Sequence, residues 1–424
     1  MYYKILVPTF ALILVSALSA QKKETIDALI SEALNHNPQI AASLYSMGAA
    51  QAKIPQASSL DDPELIFKLM EIPGTDFNRA MYANIELMQM IRFPSKLSTQ
   101  RLIAETRAEH AHHDHMEKVL DVVADLRVSY AELRYARRSL ELNLENQQFL
   151  TQIVTSTTTQ YSVGKASQQD VLKSTIELAK LKAQEEAVKQ EVIGAESMLR
   201  AILNRPSGAV IGPLDDQKPE PVTASVQDLV NYAMQYRPML VHDSLNVYES
   251  SLSVDLMKKE YLPDFKVSLE YVRMPTLMEN RWSVSAGITL PFAPWTLSKA
   301  SSRVQEATEE KLSLASTFEA SKRMVEAQIK DSYAKVSSYR SEMDAYETTV
   351  LPQTEQSLQS LLREYQSNQT SFLMLLDSYR MKREAEMEAA MARMKYEQAV
   401  ASLERFVGNA DFLSFTFQPK DQQP

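Results

Sequence analysis

DFKVSLEYV (264–272) and WSVSAGITL (282–290) alternate apolar and polar side chains with a period of two. In the first, Phe265, Val267, Leu269 and Tyr271 fall on one side, while Lys266, Ser268 and Glu270 take the other. In the second, Trp282, Val284, Ala286, Ile288 and Leu290 oppose Ser283, Ser285, Gly287 and Thr289. Period two is the mark of a strand with one wet face and one apolar face. The intervening MPTLMENR (274–281) is polar and carries turn residues. The stretch about 264–291 therefore reads as a β-hairpin.

Two hundred residues earlier a weaker copy occupies about 64–92. Leu65, Phe67 and Leu69 oppose Lys68, and Ala83, Ile85 and Leu87 oppose Asn84 and Glu86, across the loop IPGTDFNRA (72–80). Strands of about nine to eleven residues with one apolar and one polar face suit a membrane β-barrel. They also suit a soluble sheet with one solvated face. Stoichiometry constrains the membrane case. Four strands cannot close a barrel, and an open strand edge cannot sit in hydrocarbon. Several chains must then share one barrel, and three chains would make twelve strands. Lys68, Glu86, Lys266 and Glu270 would face its lumen.

The copying extends along the chain. Leu29, Ala33 and Pro38 in LISEALNHNP match Leu229, Ala233 and Pro238 in LVNYAMQYRP, and Pro63 and Leu69 match Pro263 and Leu269, all at an offset of 200. Tyr130 matches Tyr333 at 203; Tyr161 and Leu172 match Tyr365 and Leu376 at 204. Two repeats follow, 21–212 and 225–409, joined by a Pro-rich acidic linker at 213–224. Each should hold two short helices (25–36 and 39–59; 226–236 and 239–260), a β-hairpin, and one long helical hairpin (about 96–204 and 297–408). The longest uninterrupted stretch could reach roughly 95 Å, a coiled-coil length. At the tip of the first hairpin Gly164 can turn the chain, and Ser167 with Asp170 has capping-box spacing. In the second, Asn368 takes the turn, with Thr370 or Ser371 as the cap.

The fold class expected is mainly α with a small β part. Composition closes other routes. Among 424 residues there is no cysteine, which excludes disulfides, thiol nucleophiles, zinc fingers and an N-terminal lipid anchor on cysteine. A net charge of −9 offers no basic footprint for nucleic acid. No Gly-rich phosphate loop, nucleophile elbow or HExxH is present. No catalytic residue and no cofactor is expected. Residues 1–20, with Lys4, an apolar run from Ile5 to Leu18, then Ser19 and Ala20, read as a secretory signal peptide. Residues 410–424 read as a C-terminal tail.

With these pieces in order, the chain resembles the TolC-like outer-membrane efflux proteins. The carriers are the two L-x3-A-x3-[NR]-P segments, the strand-opening Pro63 and Pro263, FPSKL (93–97), LPF (290–292), and the tips YSVGKASQQDVL and YQSNQTSFLMLL. The resemblance implies a homotrimer with a shared 12-stranded β-barrel in the outer membrane. It implies an α-helical barrel crossing the periplasm and short helices forming a belt around it. It implies, too, docking on a periplasmic adaptor and an inner-membrane pump that supplies the energy. In that family the tips close the channel, with acidic rings beyond the second tip. The matching positions here are Met374 and Asp377, and the first repeat holds Asp170 and Lys173. One acidic ring, from Asp377, is therefore expected in place of two; the alternative is that Asp377 is a solvated surface acid.

The cargo is less legible. EHAHHDHMEK (109–118) gathers His110, His112, His113 and His115. On a helix, His110 and His113 would share one face and His112 and His115 a roughly opposite one. Each pair could bind zinc or copper with a third ligand, or be a solvated polar stretch. Met88, Met90, Met274 and Met278 near the strands add soft donors. These residues point to heavy-metal export, of the copper–silver or cobalt–zinc–cadmium kind. Drug export or type I protein secretion is the alternative within the channel class. An exported coiled-coil structural protein is the alternative outside it.

Overall fold

The computed structural model describes residues 23–408 apart from 73, 76, 78, 79, 217, 275–278 and 292. The signal segment, the C-terminal tail and Met278 lie outside the described residues.

The chain opens with α1 (Ile26–His36) and α2 (Pro38–Ala57), followed by strands β1 (Glu64–Met70) and β2 (Tyr82–Ile91). Two long helices come next, α3 (Pro94–Ser162) and α4 (Gln168–Ile202). The order then recurs as α5 (Val226–Tyr236), α6 (Pro238–Lys259), β3 (Phe265–Met274) and β4 (Glu279–Ile288). Helix α7 (Pro294–Ala345) passes through a π-helical turn (Tyr346–Val350) into α8 (Leu351–Gln366), and α9 (Phe372–Val407) returns. The second long arm is thus one helical path with a local widening, where the first is unbroken.

Local chemistry sets these boundaries. Pro38, Pro94, Pro238 and Pro294 each occupy a helix's first position, where the missing N–H costs nothing. Asn37 accepts from the backbone N–H groups of Gln39 and Ile40 at 2.8 and 3.3 Å. It also donates to Ile202 O at 2.8 Å. The α1–α2 corner is thereby tied to the end of α4. Arg237 stands at the same corner of the second repeat and provides no side-chain cap.

At 69 residues α3 is roughly 100 Å long. Its reversal into α4 puts Gly164 at φ +71°, and the α8–α9 reversal puts Asn368 at φ +62°. The two turns share one pattern: Lys165 N donates to Gln160 O, and Gln369 N to Glu364 O, both at 2.8 Å. Asparagine is among the few non-glycine residues that take this backbone readily. The caps differ. Ser167 and Asp170 close a reciprocal capping box. Ser371 accepts from Met374 N at 3.4 Å, while the Met374 sulfur accepts from Thr370 Oγ1 at 3.4 Å, so no reciprocal box forms.

Two clusters of buried side chains lie in corresponding places. Leu29, Ala33, Val122, Leu126, Leu133, Leu199 and Leu203 form one. Leu229, Ala233, Val325, Ile329, Tyr396 and Leu403 lie in the other. The offset-200 pairs Leu29/Leu229 and Ala33/Ala233 are essentially inaccessible, so the repeated residues anchor both cores. A third cluster (Leu150, Leu181, Leu358, Phe372, Leu376) joins the two arms of the molecule nearer the tips. The linker lies against the helices: Tyr130 OH donates to Asp215 O and Tyr396 OH to Glu220 O, both at 3.0 Å.

Arg205 ties the end of the first hairpin to α1. It forks onto Glu32 at 2.7 and 2.6 Å and reaches Glu24 at 3.1 Å. The hydrogen bond from Arg205 holds the Glu32 carboxyl below its ordinary value of 4.5. A depressed carboxyl stabilises the fold above the unfolded value and loses that contribution as pH falls through the folded one. Glu32→Gln should therefore flatten the acid limb of the stability curve below about pH 4.5. Thermal melts of both proteins between pH 3 and 7 check this; parallel acid limbs would remove the pair's role.

Candidate functional site

The four strands form one antiparallel sheet in the order β1-β2-β3-β4. The two hairpins meet where β2 pairs with β3, leaving β1 and β4 as edges. Register decides which side chains share a face. Lys68 lies opposite Asn84, Glu86 opposite Glu270, and Lys266 opposite Met90 and Gly287. Lys68, Glu86, Lys266 and Glu270 therefore lie on one face, as do Ser268, Ser283 and Ser285. The facing glutamates are relieved by neighbours. Lys68 Nζ donates to Glu86 Oε2 at 2.6 Å, and Asn84 Nδ2 to Glu270 Oε1 at 2.7 Å. Ser283 Oγ donates to Glu270 Oε2 at 3.1 Å.

The opposite face is apolar and open. Phe67, Trp282 and Val284 are 70%, 67% and 74% exposed, and Leu65, Leu69, Ile85, Leu87 and Ile288 are exposed beside them. A contiguous apolar face this open marks an interaction surface. Among the described residues no helix is long and apolar enough to cross a membrane.

The sheet is fixed to the long helices by a buried ion pair. Lys96 is 5% exposed and donates to both oxygens of Asp264 at 2.9 Å. Asp264 also accepts from Phe93 N at 2.9 Å, and its own N–H donates to Thr289 Oγ1 at 2.8 Å. One residue thus joins the start of α3, through its carboxylate, to the end of the second hairpin, through its backbone. Lys96 sits in the FPSKL segment, whose spacing alone pointed to no partner.

At the tips, Asp170 is spent on the capping box, Met374 is exposed, and Asp377 is exposed with Arg380 at 3.8 Å. Arg380 also donates to Glu177 across the gap between the two repeats. Glu177 is 4% exposed and takes a second bond from Lys180 at 3.2 Å. Burial pushes the Glu177 carboxyl up, but the bonds from Arg380 and Lys180 outweigh it and hold it below the usual range. This link went unread in the sequence because its partners lie 203 residues apart.

Beyond the faces that the histidines share on one helix, the rings meet partners that the spacing did not give. His110 meets His242 of α6, with ring centroids 4.9 Å apart. His112 lies edge-on to His113 at 5.4 Å. His115 Nδ1 shares a 2.8 Å hydrogen bond with Ser43 Oγ of α2. The reason is packing: α2 and α6 both run against α3. Their side chains therefore compete with helix neighbours for each ring. His242 had no signal in the sequence, since position 42 of the first repeat is alanine. Among the described residues no three His, Asp or Glu side chains are already arranged to hold a metal ion.

The model of the family described as outer membrane efflux protein matches the chain twice, over residues 29–205 and 229–409. The chain belongs to the outer membrane efflux protein family. Members of this family are channels, not enzymes. Solved structures with the same fold include the outer-membrane channel OprN, at 16% identity and TM-score 0.77, with 91% of this chain and 90% of that one covered. CusC, described in terms of transmembrane channel formation, aligns at 14% identity and TM-score 0.78, covering 92% and 93%. The MtrE outer membrane channel of Neisseria gonorrhoeae, in its open state, aligns at 15% and 0.76, covering 91% and 89%. No curated protein matches the chain. The two-fold match coincides with the two-fold recurrence of helix pair, β-hairpin and long hairpin.

For this efflux-family chain, Arg380→Ala should leave Glu177 buried with only Lys180. A cost of about 1–3 kcal/mol follows from a carboxylate losing its charged partner. Thermal melting of the purified protein checks it, with Glu177→Gln/Arg380→Leu expected to recover much of the loss. An Arg380→Ala protein as stable as the parent would show the link to be idle.

Proposed function

We propose that this chain is the passive exit duct of a three-part efflux assembly, working as a homotrimer in the outer membrane. The observation that carries this reading is the sheet: four strands, two free edges, one polar face, and one apolar face open to its surroundings. Hydrocarbon tolerates neither unpaired strand edges nor a partial barrel. Joining β4 of one copy to β1 of the next removes both edges, and three copies close twelve strands. The apolar face then meets lipid, while Lys68, Glu86, Lys266 and Glu270 line the lumen. The long hairpins carry the duct through the periplasm to a periplasmic adaptor and an inner-membrane pump, which supplies the energy. The family membership and the likeness to solved outer-membrane channels support this arrangement.

Since the chain has no cysteine, cysteine pairs introduced along β1 and β4 can report the closure cleanly. Oxidation in membranes should yield covalent trimers for the in-register pairs. Monomers alone at every register would overturn the shared barrel.

The gate reading places Asp377 of three copies in one carboxylate ring at the tips, where Met374 contributes no charge. Such a ring favours cations. With the histidine-rich stretch on α3, it supports heavy-metal cations as the cargo. Asp377→Asn should lower the cation-over-anion permeability ratio in planar bilayers and reduce zinc or copper tolerance of cells that depend on the chain. An unchanged ratio would remove the ring.

A further inference from the structure

The seam where α3 packs against α6 holds three imidazoles and several carboxylates. His110 is 9% exposed, and its Nε2 is buried with no hydrogen-bond partner. Its Nδ1 faces Glu249 Oε2 of α6 at 3.6 Å. Glu249 is itself held by Arg107 at 2.8 Å. One turn along α3, His113 Nδ1 is likewise buried without a partner. His242 packs its ring on His110 and turns Nε2 towards Asp114 Oδ1 at 3.5 Å. Its Nδ1 lies 3.4 Å from Asp243 and 3.2 Å from the side-chain amide of Asn246.

We propose that His110, His113 and His242, with Asp114 beside them, form a site for a borderline divalent cation such as zinc, bridging α3 and α6.

Three observations carry the inference. First, two buried ring nitrogens lack any partner, a costly state that calls for an occupant. Second, a carboxylate on one imidazole nitrogen sets the tautomer that leaves the other nitrogen's lone pair free. Glu249 Oε2 lies 3.6 Å from His110 Nδ1, beyond hydrogen-bond distance, and would take that place by moving a few tenths of an ångström closer. Third, the donor set of imidazoles and a carboxylate is the one zinc takes. Burial, reinforced by neighbouring His112, holds His113 below the usual imidazole range. His113 and His242 must rotate about their side-chain bonds to reach a cation at His110 Nε2, since no three donors yet surround one point among the described residues. His115, engaged with Ser43, takes no part.

A cation here would join the two repeats: α3 comes from the first and α6 from the second. The inference does not rest on the cargo reading. A chain that exports no metal would still bind one at this seam, and a channel for metals need not hold one there.

Calorimetric titration of the full-length detergent-purified protein with zinc tests the proposal. One saturable zinc per chain is expected, with zinc raising the melting temperature. His242→Ala and the double change His110→Ala/His113→Ala should weaken binding at least ten-fold, and Glu249→Gln by about ten-fold. His115→Ala should bind like the parent. His242→Gln retains a hydrogen-bonding group toward Asp114 and guards against loss of folding. Absence of a saturable site, or zinc binding by His242→Gln equal to the parent's, would overturn the proposal and leave water as the partner of the two nitrogens.

Discussion

The structure turns on the unpaired edges of a four-stranded sheet. β1 and β4 each present a row of backbone N–H and C=O groups to whatever lies beside them. In water such groups are solvated. In hydrocarbon each costs several kcal/mol, so only a closed sheet survives there. The apolar face that includes Phe67, Trp282 and Val284 makes an aqueous setting equally awkward. A lipid-facing barrel shared between copies satisfies both demands together. The duplication acquires a physical role in this light, because two hairpins supply twice the arc of one without lengthening any strand.

Charged joints hold the frame together. Lys96 with Asp264 fixes the sheet to α3. Arg205 with Glu24 and Glu32 fixes α1 to the end of α4. At the corner of the second repeat Arg237 is 3% exposed, 3.6 Å from Glu117 and stacked over Phe406. Burial lowers the pKa of Arg237 and raises that of Glu117. Buried pairs of this kind are weak sources of stability but expensive to break, so they set position more than they set strength.

The repeats are alike in their cores and unlike at their ends. Asn37 caps a helix where Arg237 makes a buried ion pair, and Asp170 closes a capping box where Met374 takes a bond from Thr370 instead. The second arm alone carries a π-helical turn, next to Lys218 of the linker, which pairs with Glu347 at 2.7 Å.

Much of this was legible from residues alone. Alternation along 264–272 and 282–290, prolines at four helix starts, Gly164 and Asn368 at the reversals, and Leu29/Leu229 at the cores are local or repeating signals, and local geometry obeys them. What the chain could not announce were contacts between segments far apart in sequence: the joining of β2 to β3, Lys96 with Asp264, Glu177 with Arg380, and His110 with His242. Helical spacing described which rings share a face of α3, but not that α6 and α2 would bring His242 and Ser43 against them. A side chain's partner is settled by which elements pack together, and that is decided by the burial of whole faces, not by the spacing of any one motif.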